Sequence, residues 1–217
     1  MEQVNNDNFG GVFYINLERR PDRRDEIERE LGRMGLQFER FNGIDKKPGI
    51  VGCGLSHLAV LKEARERGLP NVLIFEDDFE FLVPKELFWS QINKFFEMRM
   101  PYDVVMLSYN IEMEDNHFLA SQNINPSEPV NDLIFKVNSN STASGYIVHS
   151  YFYDALIELY EESLPLLETT GKHWIYANDQ VWKKLQPTAK WYGFNIRLGR
   201  QRASYSDNSL KFIFSGK

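Results

Sequence analysis

Three features of this sequence predict an α/β fold with a mostly parallel central sheet flanked by helices. Residues 11–76 alternate strand, helix, strand, helix, strand, the pattern of parallel crossover units. The strands at 11–17 and 71–76 read as buried apolar runs. The chain has 217 residues, 42% hydrophobic and 14% aromatic, which suits one domain with a substantial core.

GVFYINL (11–17) is the first strand. In the following RRPDRRDEIERELGRMG, Pro21 suits the first turn of a helix, and acids lie near its start. Ile27, Leu31 and Met34 form one apolar stripe at i, i+4 and i+7, and Gly35 marks the stop. FERF (38–41) is a short second strand that ends in the turn NGID. Leu55, Leu58, Leu61 and Ala64 share one face of a second helix, which ends near Gly68-Leu69-Pro70. Residues 71–76 form the third strand. Beyond it the pattern predicts helices at 85–98, 151–162 and 178–185, and strands at 103–108, 133–137, 145–149 and 191–196. The polar stretch 111–130 reads as a loop.

A formal net charge of −6 argues against a nucleic-acid duplex as partner, because duplex binding usually needs a basic footprint. The single cysteine, Cys53, excludes an intramolecular disulfide and a thiolate zinc cluster, and fits a reducing compartment. The N-terminus lacks the charged-then-apolar layout of a signal peptide, and no run reaches the roughly 18 apolar residues of a membrane span. A cytoplasmic location is the expectation, and the sequon Asn140-Ser141-Thr142 reads as a chance match.

VLIFEDDFEFL (72–82) drives a buried strand into Glu76, Asp77 and Asp78. Three adjacent carboxylates repel one another, and a hard divalent cation, Mg²⁺ or Mn²⁺, resolves that repulsion. In extended backbone Glu76 and Asp78 point one way and Asp77 the other. Asp78 and Glu76 are therefore assigned to the metal, and Asp77 as a structural acceptor or a partner for the sugar. The alternative is a solvated turn that caps the next helix. NLERRPDRR places Arg19, Arg20, Arg23 and Arg24 just after the first strand. Such a turn binds phosphate through free N–H groups and guanidinium forks, or forms a solvated face paired with Glu26, Glu28 and Glu30.

With these residues in place, the sequence resembles glycosyltransferase family 25, which includes lipopolysaccharide-core sugar transferases and collagen galactosyltransferases. FYINLERRPDRRDEIERELGRMGL, FERFNGID, GCGLSHLAVLKEA and VLIFEDDFEF resemble its blocks in order over residues 11–82. SGYIVHSYFYDAL, NDQVW and QRASYSD resemble later, looser blocks. The resemblance implies a GT-A architecture with a Rossmann-like sheet in a single domain, 1–217. Its half at 1–110 would bind a nucleotide sugar, and its half at 111–217 would hold the acceptor and the catalytic base. It also implies metal-dependent transfer of a hexose from a UDP-sugar to a glycan or glycoprotein hydroxyl, with inversion, in glycan biosynthesis of the lipopolysaccharide kind. Mn²⁺ or Mg²⁺ at Asp78 would bridge the donor diphosphate.

An inverting transfer needs a base opposite the leaving group. By resemblance that is Asp179 in YANDQVW; by position alone Asp179 caps the helix it begins. Tyr14, Asn16 and Leu17 at the strand end, with Arg19, Asp22 and Arg23 after it, are placed to hold the nucleoside. Asp45 would accept from uracil or ribose. His57 would bond a phosphate or a sugar hydroxyl, or is a satisfied structural histidine. Gln201, with Ser206 and Asp207, would close the site. Trp174, Trp182 and Trp191 either stack on an acceptor sugar or pack in the core. Two other readings compete. A metal-dependent phosphohydrolase or nucleotidyltransferase would need further carboxylates for a second metal. A non-catalytic carbohydrate-binding module would not need INLERRPDRR beside FEDD.

Overall fold

The computed structural model describes residues 4–111, 125–202, 204–206 and 211–213, the last two segments by their backbone. β1 (Val12–Asn16) is flanked in parallel by β2 (Glu39–Asn42) and β3 (Asn71–Glu76), so that Tyr14 lies between Arg40 and Phe75. The connections are α1 (Pro21–Met34) and α2 (Gly49–Glu66). The carboxyl ends of all three strands therefore share one sheet edge, where ligands bind in folds of this class.

β4 (Phe79–Phe81), α3 (Lys85–Glu97), β5 (Val104–Met106), β6 (Ser127–Pro129), β7 (Ile134–Val137) and β8 (Gly145–His149) follow. Then come α4 (Tyr153–Thr170), the short α5 (His173–Tyr176) and α6 (Asn178–Val181), β9 (Trp191–Phe194) and β10 (Gly199–Gln201). β11 (Ser204–Ser206) and β12 (Lys211–Ile213) pair with each other. The main sheet has eight strands in the order β2-β1-β3-β8-β5-β9-β7-β6. Six of them run in one direction; β8 and β7 are reversed, which makes four of the neighbouring pairs antiparallel.

Strand alternation distributes the core over both faces. Phe13, Val72 and Ile74 pack with Leu58, Leu61, Leu156 and Tyr160, under α2 and α4. Tyr14, Leu73 and Phe75 pack with Ile27, Leu31, Phe88 and Trp89, under α1 and α3. With both faces covered, the central strands have no polar face, and they read as apolar runs for that reason. In α1 the stripe Ile27, Leu31 and Met34 is fully buried, and Gly35 takes the left-handed cap at φ 74°.

The structure departs from the sequence reading at several elements. α2 begins at Gly49, ahead of its leucine stripe. Gly52 lies against the loop before it, where a Cβ would stand 2.4 Å from the Ile44 carbonyl oxygen. α4 runs past the expected end at 162 to Thr170, with Pro165 inside it. Burying Leu164 and Leu167, at about 1.5–3 kcal/mol each, offsets the roughly 3 kcal/mol of an interior proline. The helix expected at 178–185 is α6 followed by the 3₁₀ turn Trp182–Lys184. The stretch read as a loop ends in β6, which pairs with β7.

Candidate active site

β3 ends at Glu76, and Asp77 and Asp78 begin a turn, so strand alternation stops before the last two acids. As a result Asp77 and Asp78 meet the same guanidinium, in contrast to the opposed directions that extended backbone predicts. Arg23 Nη1 lies 2.8 Å from Asp77 Oδ1 and 3.2 Å from Asp78 Oδ2. Asn16 Nδ2 donates to Asp77 Oδ2 at 2.8 Å. Both Asp77 oxygens are thus engaged within the protein, and α1 is pinned to the end of β3.

Glu76 turns toward α2. Its Oε1 lies 3.1 Å from His57 Nε2 and accepts from Cys53 Sγ at 3.4 Å. His57 Nδ1 contacts the Tyr146 hydroxyl at 2.8 Å, which ties α2 to β8. Burial opposes ionisation of Glu76, but His57 and Cys53 outweigh it and hold the carboxyl below the usual range. Burial and the Glu76 charge push the Cys53 thiol well up. Ser56 donates to the Gly52 carbonyl at 2.7 Å and accepts from the Ile44 amide at 2.8 Å, fixing the loop that carries Asp45.

Asp78 is buried and is reached from the far end of the chain. β10 pairs antiparallel with β4, with Gln201 opposite Phe79, and Gln201 Nε2 donates to Asp78 Oδ2 at 3.1 Å. Asp78 Oδ1 is buried and, among the described residues, has no hydrogen-bond partner. Burial, then the Glu76 charge, raises this carboxyl to about 7. A buried acid with an unsatisfied oxygen, beside a second carboxylate, is a fitting donor set for a hard divalent cation.

One cavity collects most of the predicted site. The β1–α1 turn contributes Leu17 and Arg19, the start of α1 contributes Arg23, the loop after β2 contributes Asp45, and α2 contributes His57. Glu76, Asp77, Asp78 and Gln201 complete it. Arg19 Nε pairs with Asp45 Oδ2 at 2.8 Å, both side chains about half exposed. Tyr14, Asn16 and Asp22 are not on this wall. Tyr14 is fully buried, its hydroxyl donating to Glu28. Asn16 is buried among Asp77, the Arg20 carbonyl and Arg40. Asp22 is exposed and pairs with Arg20 at 2.8 Å, which holds its carboxyl at about 2. Lys46, which the sequence analysis did not single out, lines the cavity and pairs with Glu168 of α4 at 2.7 Å.

No protein-family model matches the chain. Individual relatives do. The chain is 28% identical over 152 residues to the probable inactive glycosyltransferase 25 family member 3 of Bos taurus, covering 55% of this chain and 23% of that protein. It is 35% identical over 101 residues to the inactive glycosyltransferase 25 family member 3 of Homo sapiens, covering 34% and 17%. It is 31% identical over 101 residues to procollagen galactosyltransferase 2 of Mus musculus, covering 34% and 16%. The chain is thus similar, over part of its length, to proteins named as glycosyltransferase 25 family members and to a procollagen galactosyltransferase. It spans less than a quarter of the length of these relatives.

Asp179 is not a helix cap. It is the second residue of α6, whose N-cap is Ala177, and no side chain caps that end. Gln180 Nε2 contacts its Oδ1 at 3.4 Å. Burial, then the charge of Glu76, raises Asp179 to about 6, so it faces the triplet electrostatically although it is off the cavity wall. Trp182 and Trp191 are fully buried against each other, whereas Trp174 on α5 is 62% exposed. His149 is paired with Asn71 at the start of β3. That is five residue steps, about 17 Å, from Glu76. The side chain of Ser206, and Asp207 entirely, lie outside the described residues. Among the described residues no helix is long and apolar enough to cross a membrane.

Proposed function

We infer that this chain is the donor-binding and catalytic domain of a metal-dependent glycosyltransferase, taking a hexose from a UDP-sugar to a hydroxyl of a glycan or glycoprotein with inversion. The observation that carries this reading is the unpartnered, buried Asp78 oxygen in a residue that lines the same cavity as Arg19 and Arg23. Asp78, with Glu76 beside it, would hold Mn²⁺ or Mg²⁺. Such a cation, when bound, supplies neutralising charge to a leaving diphosphate. The name of the mouse relative, procollagen galactosyltransferase 2, supports galactose as the first sugar to test and a glycoprotein as the first acceptor.

The chain's own groups divide the work by position. Arg23 is committed to Asp77 and Asp78 and keeps the ligand acid in place. Arg19 and Asp45 stand at the mouth, where the guanidinium can leave its exposed partner for a phosphate and the carboxylate can accept from ribose or uracil. His57 stands behind Glu76 and acts by orienting it. Asp179 would take the acceptor hydroxyl proton on a carboxylate oxygen. A carboxyl raised to about 6 is still mainly ionised at neutral pH, and is a stronger base than an ordinary one.

The test is product analysis with UDP-galactose, UDP-glucose and UDP-N-acetylglucosamine, Mn²⁺, and a hydroxylysine peptide or an oligosaccharide. Acceptor-dependent UDP release with a mass gain of one hexose on the acceptor supports transfer. Acceptor-independent release places the chain with hydrolases. A second reading follows from the two relatives named inactive: a domain that binds UDP-sugar and does not turn it over. It would bind UDP with Mn²⁺ and yield no product with any acceptor.

A further inference from the structure

Cys53 and His57 are four residues apart on α2, so their side chains share one face of the helix. Both converge on a single oxygen of Glu76 at the end of β3. Sγ stands 3.4 Å and Nε2 3.1 Å from Oε1, and the three atoms lie within 4.8 Å of one another. Ligand atoms about 2.0–2.3 Å from a tetrahedral cation stand roughly 3.3–3.8 Å apart, so small adjustments would close this set around one ion. The remaining ring nitrogen, Nδ1, is held by the Tyr146 hydroxyl at 2.8 Å. An outer partner of this kind fixes the orientation of ligand histidines. The two elements that carry the set are a buried helix and a central strand.

We propose that Cys53, His57 and Glu76 form a second cation site, for a borderline-soft divalent ion of the zinc class. A sulfur, nitrogen and oxygen set suits Zn²⁺, whereas Mg²⁺ and Mn²⁺ prefer the all-oxygen surroundings of Asp78. Three protein ligands leave a fourth position for water. Binding breaks the Cys53 S–H bond, forms a sulfur–metal bond and gives the proton to solvent; no electron is transferred. The ring proton, which faces the Glu76 carboxylate on Nε2 in the metal-free chain, shifts to Nδ1 and is donated to Tyr146, so that Nε2 is free to bond the ion and the one proton released is the thiol's. Glu76 is common to both sites, so zinc would draw this carboxylate away from a cation on Asp78.

The experiment uses the whole chain, stripped with a chelator and titrated calorimetrically with Zn²⁺ and, separately, with Mg²⁺. A parallel titration with Co²⁺ reads the thiolate–cobalt charge-transfer absorption. Zn²⁺ should bind at one ion per chain and release about one proton, Mg²⁺ should weaken Zn²⁺ only through the shared Glu76 and should not displace it from Cys53 and His57, and Co²⁺ should give the thiolate band. Cys53→Ser should keep the fold, lose the band and weaken Zn²⁺. Tyr146→Phe should weaken Zn²⁺ by about 10–100-fold, the usual effect of losing an outer partner. Asp78→Asn should leave Zn²⁺ binding and the band in place. Absence of Zn²⁺ uptake, a cobalt complex without the thiolate band, or Zn²⁺ affinity unchanged in Cys53→Ser overturns the proposal. The Asp78→Asn arm separates this site from the transfer cation, which needs Asp78 where zinc does not.

Discussion

Gln201 Nε2 lies 3.1 Å from Asp78 Oδ2, a contact between residues 123 positions apart. The antiparallel pairing of β10 with β4 makes it, and the Arg202 amide adds a bond to the Asp78 carbonyl at 2.6 Å. The late part of the chain thereby closes over the acid that the first crossover units place. The bond favours the ionised form of Asp78. In Gln201→Leu the carboxyl should therefore titrate higher still. The measurement is Mn²⁺ affinity against pH, whose midpoint should move upward from about 7; an unmoved midpoint would detach Gln201 from the site.

The raised carboxyls also set the pH dependence of stability. Asp78 moves from 3.8 to about 7 and Asp179 from 3.8 to about 6, both chiefly by burial. Over that window the folded chain keeps protons that the unfolded chain has released. Without metal, stability should therefore fall as pH rises from about 4 to about 7. Asp78→Asn should flatten the slope and raise the melting temperature at pH 8. Denaturant titrations across this range in EDTA are the check, and a stability that climbs through the window contradicts the burial of these acids.

Asp179→Asn tests the base. The near-isosteric amide keeps an oxygen and removes the proton affinity. The fold and UDP-sugar affinity should persist while turnover drops by about 10²–10⁴. Because no side chain caps α6, a large fall in melting temperature is not expected. Unchanged turnover would dismiss Asp179 as the base, and lost donor affinity would move it to the donor side.

Much of this arrangement was legible because it is local in sequence. The stripe of Ile27, Leu31 and Met34, with Pro21 before it and Gly35 after it, defines α1 without reference to the rest of the chain. Glu76, Asp77 and Asp78 stand out because a buried strand runs straight into them. What could not be read depends on long-range geometry. Tyr146 is one apolar-looking residue in an apolar strand, and its hydroxyl matters only because α2 brings His57 to it across 89 positions. The reversal of β8 leaves no mark in a sheet covered on both faces, since either direction buries the same residues. Asp77 and Asp78 misled because alternation holds only while the strand lasts. Lys46 reaches the cavity wall through a loop shaped by Gly52, and loop shape has no periodic signature.

Gly52→Ala tests that loop. The added methyl would stand 2.4 Å from the Ile44 carbonyl oxygen, which is backbone and cannot rotate away. Stability should fall by about 1–3 kcal/mol, the usual cost of overpacking. UDP affinity should fall with it, because the displaced loop carries Asp45 and Lys46. Denaturant melts and UDP titration of the same preparation measure both. A variant as stable and as tight as the parent would show that the loop yields freely.

In the proposed function Asp78 holds the cation that binds the donor diphosphate. Calorimetric titration of UDP, in Mn²⁺ and in EDTA, on the parent chain and on Asp78→Ala, tests it most directly. Mn²⁺ should strengthen UDP binding to the parent, and Asp78→Ala should lose this gain, with Glu76→Gln losing less of it. Equal UDP affinity of the parent chain in Mn²⁺ and in EDTA would contradict it.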